Sequence, residues 1–245
     1  MSTTQARPNF WHHLALKTRF AHARLKKGTV RFKTSNLASV YAAYEERGIA
    51  YVVLRWAAEV PMEQSEEAGY TKDVDHLIAA KDVMAALDVS SAYPGKIKCD
   101  YYSAEGRSGT SYNGIPYYQP ARALSILARR SRDPRGFYRP CLEDEFFAFA
   151  YHLCYHKGHR AGIPTGTGVA PDTDAPRDYL AELKRLAIKA QRNDLPENIT
   201  LLGLHHYLVR NKWGMPYDLM LRWPDSHPFM EALTCLEEAR SKSVV

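Results

Sequence analysis

The chain has 245 residues, 45% of them hydrophobic and 24% charged, with 14 glycines, 14 prolines and a formal net charge of +6. That composition excludes wholesale disorder and collagen-like repetition, and no run approaches the roughly 20 apolar residues of a membrane-spanning helix. Cys99, Cys141, Cys154 and Cys235 are too scattered for a disulfide scaffold or a C-x-x-C zinc site. With no apolar secretory leader among the first residues, the expected setting is cytoplasmic.

Charge is uneven. Before Glu45 there is no acid, while Arg7, Lys17, Arg19, Arg24, Lys26, Lys27, Arg31 and Lys33 fall in that stretch. Residues 1–34 therefore read as a basic amphipathic segment whose field attracts polyanions. Phe10, Trp11, Leu14, Leu16 and Phe20 interleave with the bases. The pattern fits a helix packed by its apolar side, or peripheral contact with an anionic membrane at its inner face. Nucleic acid is the less favoured partner.

Ser35 to Arg47 reads as a helix stopped by Gly48, and Ile49 to Leu54 as a buried strand. A polar loop from Ala58 to Lys72 leads to a strand at Val74 to Ala79, a short helix at Lys81 to Leu87 and a strand at Lys96 to Tyr102. The remainder is helical: Pro120 to Leu127, Leu142 to Lys157, then, after a Gly- and Pro-rich loop over 161–176, Arg177 to Gln191, Ile199 to Arg210 and Pro228 to Arg240. The expected class is α+β. A small mixed sheet flanked by helices occupies residues 35–119, and a mainly helical region follows at 120–245, with the seam near 120 or 140.

The densest chemistry is Asp73-Val74-Asp75. Residues i and i+2 of a strand share a face, so the two carboxylates converge and repel unless a cation lies between them. Mg²⁺ suits paired carboxylates together with substrate phosphates. Asp100 interrupts the apolar alternation of the next strand, where a third acid completes a metal clamp or serves as base toward a hydroxyl.

The succession I-A-Y-V-V-L-R, K-D-V-D-H-L-I-A and K-I-K-C-D-Y-Y resembles the core of the nucleotidyltransferase superfamily, the DNA polymerase β-like fold, over roughly residues 35–105. The resemblance implies that Asp73, Asp75 and Asp100 are catalytic and hold Mg²⁺, with Mn²⁺ as a substitute, against the phosphates of a nucleotide or nucleotide-activated donor. Members of that family usually carry a Gly-Ser turn after the first strand, where this chain has Leu54-Arg55-Trp56. Arg55 and Lys72 are the expected phosphate contacts there. The ending of that strand and the delayed D-x-D also resemble a bacterial branch found among surface-polysaccharide genes, with some similarity to the phosphocholine-transferase (LicD) family. That likeness implies a sugar or glycan precursor as acceptor.

In Tyr151 to Arg160, His152 and His156 lie four residues apart, with His159 just beyond. Three readings stay open: helix-end packing, zinc, and phosphate or acceptor binding by His156, Lys157, His159 and Arg160. Without the Glu of H-E-x-x-H, zinc is the least favoured. The third reading has a helical half closing over the substrate, with Lys157 facing the carboxylates. The 16 tyrosines read mostly as core. The expected function is an Mg²⁺-dependent transfer of a nucleotidyl or phospho-linked group to a hydroxyl. The alternatives are a non-catalytic module binding polyanions or a membrane surface, and an antitoxin-like nucleotidyltransferase acting on RNA or protein.

Overall fold

The computed structural model describes residues 10–64, 73–224 and 227–242, with backbone alone for 10–13. It divides the chain into two units, residues 1–140 and 141–245.

The first unit is built on four strands: β1 (Val30–Thr34), β2 (Tyr51–Val53), β3 (Val74–Ile78) and β4 (Ile97–Ser103). They run in the order β1-β4-β3-β2; the central β3/β4 pair is parallel and both outer pairs are antiparallel. The mixed α+β character is as expected. β1 is an addition, since the alternation Val30-Arg31-Phe32-Lys33-Thr34 lies inside the basic segment, where its charge obscures a half-buried edge strand. Its burial alternates strictly, with Val30, Phe32 and Thr34 inward.

Val30, Phe32, Cys99, Tyr101, Val74, Ile78, Tyr51 and Val53 form the apolar face of the sheet. Helices α1 (Phe10–Leu25), α2 (Leu37–Glu46) and α3 (Val83–Ser91) supply the rest of that core through Leu16, Phe20, Val40, Tyr41, Tyr44 and Leu87. Asn36 caps α2 by accepting from the Ser39 amide at 2.7 Å. The core is aromatic and its polar tips are bonded to one another. Tyr41 Oη lies 2.9 Å from His76 Nε2, and Tyr101 Oη donates to Ser90 Oγ at 2.8 Å. His76 stacks on Tyr101 with ring centroids 4.8 Å apart. Burial lowers the His76 pKa to about 4, so the ring is neutral in the core.

On the opposite face α4 (Pro120–Ala128) packs against β2 and β3, leaving the β1/β4 side of that face to polar residues. Pro120 sits at the first position of α4, as its fixed φ favours. A short hairpin, β5 (Ser131–Arg132) and β6 (Tyr138–Arg139), closes the unit. From its turn Arg135 donates to the carbonyls of Ala57, Ala58 and Val60, bracing the chain that leaves β2.

The second unit contains α5 (Leu142–Tyr151), α6 (Tyr179–Lys189), α7 (Leu201–Arg210), α8 (Tyr217–Leu221) and α9 (Pro228–Lys242). α5 carries Glu143, Asp144 and Glu145 in its first turn, where negative charge suits the helix dipole. The expected helix to Lys157 is α-helical only to Tyr151; His152–Lys157 widens into a π-helix. Gly158 then turns the chain at φ +55°, with a Cβ position only 2.1 Å from His227 Cε1. No side chain larger than hydrogen fits there. No helix among the described residues is long and apolar enough to cross a membrane.

Candidate functional site

The three aspartates share the polar face of the sheet. Asp75 and Asp100 are direct partners in the parallel register of β3 and β4, and Asp73 precedes Asp75 by two residues on the same side. Their convergence follows from strand periodicity, as the sequence leads one to expect. Two arginines flank them. Arg31 of β1 is the register partner of Asp100 and grips it with two bonds, Nε to Oδ1 at 2.6 Å and Nη2 to Oδ2 at 2.7 Å. The same Nη2 lies 3.2 Å from Asp73 Oδ2, and Lys98 Nζ stands 4.0 Å from Asp73 Oδ1.

Arg55 comes from the opposite side. The Leu54 amide donates to the Asp75 carbonyl at 2.9 Å, so the chain leaving β2 turns beside Asp75. There Arg55 donates to the Asp75 carboxylate and, through Nη1, to Tyr117 Oη at 2.7 Å. Trp56 follows in the left-handed region at φ +53°, an uncommon setting for a bulky residue. The turn is therefore tight even without glycine.

Exposure separates the two ion pairs. The Arg55 and Asp75 side chains are 7% and 18% exposed, whereas Arg31 is 53% exposed over an Asp100 that is 7% exposed. Arg55 is fixed by packing; Arg31 is a long side chain reaching in from solvent. Burial pushes the Asp75 carboxyl above its ordinary value, Arg55 offsets part of that, and Asp100 and Asp73 push it up again. The two acids thus still repel at their centre, although an arginine holds each from outside. Hard carboxylate oxygens are the donors that Mg²⁺ takes. Yet the described residues, with each of these carboxylates on a guanidinium, hold no group of three or more His, Cys, Asp or Glu spaced for a metal ion. A metal would enter by displacing Arg31, the exposed partner.

Lys72 lies outside the described residues. His156, Lys157 and Arg160 belong to the second unit. His156 is buried, with its ring 4.9 Å from that of Trp223 and 5.7 Å from that of His152. Lys157 Nζ lies 5.5 Å from the centre of the Tyr179 ring. Arg160 is exposed and donates back to the His156 carbonyl at 3.2 Å, capping the helix end. His159 stands 5.5 Å from His227 and 3.8 Å from Asp172 Oδ1.

Arg31 and Tyr117 join the site without a motif that marks them. The signal for Arg31 was present: in V-R-F-K-T the basic positions alternate with buried ones, as they must on an edge strand facing acids. Tyr101, Tyr102, Tyr117 and Tyr118 are all buried, so these tyrosines are core. The chain matches no protein-family model, no curated protein and no solved structure.

Proposed function

We propose that the chain is a divalent-metal-dependent transferase of nucleotidyltransferase type, moving a nucleotidyl or phospho-linked group to a hydroxyl. The observation that carries this reading is the in-register pair Asp75 and Asp100, with Asp73 on the same face. A buried like-charge pair is costly in a sheet unless something uses it. The left-handed turn at Trp56, beside Asp75, adds support: it stands where the resembling family places its Gly-Ser turn. The four cysteines, none of them in a disulfide among the described residues, fit a cytoplasmic setting.

In this reading Asp73, Asp75 and Asp100 would hold Mg²⁺, which would neutralise donor phosphate oxygens and ease departure of the leaving group. Arg55, fixed by Tyr117 and Asp75, presents positive charge to the same phosphates. The acceptor hydroxyl oxygen bonds to phosphorus as the phosphorus–oxygen bond to the leaving phosphate breaks, its electron pair leaving with that oxygen. The hydroxyl proton passes to Asp100 once Arg31 has released it, where Asp100 serves as base and leaves the metal to Asp73 and Asp75. The acceptor proposed from the resemblance is a sugar or glycan precursor.

A second reading has its own observation: each acid is already held by an arginine, so the cluster is a structural row and the protein a polyanion-binding module. Calorimetric titration with Mg²⁺ and with Mn²⁺, followed by nucleoside triphosphates and a CDP-alcohol, separates the two. Metal binding that is lost in Asp75→Asn, together with metal-dependent donor binding, supports the transferase. Donor binding indifferent to metal supports the module.

A further inference from the structure

Helix α1 has two sides of different kind. Its inward side is Leu16, Phe20 and Ala23, all buried in the core of the first unit. At about 100° per residue, the opposite side carries Leu14, Thr18, Ala21 and Leu25, spaced by four, three and four residues. All are exposed, Leu14 at 46% and Leu25 at 84%. Thr18, the polar member of this row, turns its hydroxyl back to the Leu14 carbonyl at 2.9 Å. That bond takes up its donor within the helix, so the row meets its surroundings as an apolar strip.

Bases border the strip. Lys17 and Arg24, seven residues apart, flank it on one side, His22 lies on the other, and Lys26 follows at the helix end. Lys17, Arg24 and Lys26 are exposed and enter no ion pair among the described residues. Arg19 belongs to the packed side instead, its guanidinium carbon 5.3 Å from the centre of the Phe32 ring. The chain has no acid before Glu45, so nothing on the helix offsets these charges. A nucleic-acid backbone would satisfy the bases but give the two leucines nothing to bury against. The surface of an acidic bilayer answers both, with anionic headgroups for the bases and the acyl boundary beneath them for the leucines.

We infer that α1 docks the first unit on an anionic bilayer surface. Leu14, Ala21 and Leu25 enter the boundary between headgroups and acyl chains, while Lys17, Arg24 and Lys26 reach the acidic headgroups along their flexible stems. The helix packs on the apolar face of the sheet and the aspartates lie on the other, so docking leaves the carboxylates uncovered. This docking is independent of the transferase reading, which concerns that other face.

The test is cosedimentation of the full chain with vesicles of phosphatidylcholine alone and of phosphatidylcholine mixed with an equal amount of phosphatidylserine. A DNA duplex forms a separate arm. The protein sediments with the acidic vesicles and not with the neutral ones, and added salt weakens the binding. Lys17→Glu/Arg24→Glu and Leu25→Ser, each checked for an unchanged melting temperature, weaken it by about tenfold or more. The leucine variant separates the partners, because a nucleic acid held by charge alone does not register it. No vesicle binding, equal binding to both vesicles, binding unchanged in either variant, or a duplex bound in place of vesicles would overturn the inference. Self-association without vesicles, read by light scattering and abolished by Leu25→Ser, would overturn it too, by showing that the strip is covered by a second copy of the chain.

Discussion

Asp75 and Asp100 face each other across the parallel strands β3 and β4, and an arginine stands on the outer side of each. Along the sheet the charges run Arg31, Asp100, Asp75, Arg55, with both negative groups at the centre. Like charges directly opposite in a sheet destabilise it, and the flanking arginines compensate from outside rather than between. The gap at the centre of this row is where an added cation gains most.

Asp75→Asn is expected to abolish metal binding and turnover. From the D-x-D alone, stability should hold or rise, because one of two repelling charges is removed. The structure reverses that expectation. Arg55 is 7% exposed and its charge-assisted bond to Asp75 would be lost, at a cost of about 2 kcal/mol. Chemical denaturation of wild type and variant, beside a metal titration, measures both effects. A variant as stable as wild type would show that Arg55 finds another partner.

The acids were legible in the sequence because strand periodicity alone puts i and i+2 on one face, and because a charge within K-C-D-Y-Y violates an otherwise buried pattern. The arginines were harder to see. Arg31 lies 42 residues before Asp73 and 69 before Asp100 in the chain, so only the sheet order reveals their pairing. β1 was concealed for the same reason: its exposed alternate positions merge with the surrounding bases. Nothing local marks the π-helix at His152–Lys157 either; within it Tyr155 is held by distant partners, its hydroxyl lying 2.9 Å from His205 Nδ1 and accepting from the Met215 amide at 3.0 Å.

Acid should weaken the first unit through His76. Its folded pKa of about 4 lies below the ordinary histidine value near 6.5. The unfolded chain therefore binds the proton first, and stability falls as the pH drops from about 6.5 toward 4. The loss from this group reaches about 3 kcal/mol at the lower end. Urea midpoints across that range, compared with His76→Phe, isolate it. The variant loses the bond to Tyr41 but should show a flatter acid limb. An unchanged slope would mean that His76 is not the titrating group.

Gly158→Ala should destabilise the second unit on two counts. The added methyl meets the His227 ring, and the residue must hold a positive φ. Together these cost about 2 kcal/mol or more. His227→Ala in the same chain removes the clash but not the backbone strain, so the double variant recovers only part of the loss. Thermal melts of the two single variants and the double complete the cycle.

Arg31→Ala tests whether this side chain blocks the acids or organises them. Its guanidinium occupies both oxygens of Asp100 and one of Asp73. It is also 53% exposed. If it competes with a metal for the acids, its removal tightens Mg²⁺ binding by about tenfold or more, since one positive charge no longer has to be displaced. A general loosening of the fold would weaken Mg²⁺ binding instead. Arg31→Lys should lie between the two, keeping the charge but losing the two-pronged grip on Asp100. Calorimetric titrations with Mg²⁺ on the three proteins decide it; weaker Mg²⁺ binding in Arg31→Ala would mean that the arginine organises the acids instead of blocking them.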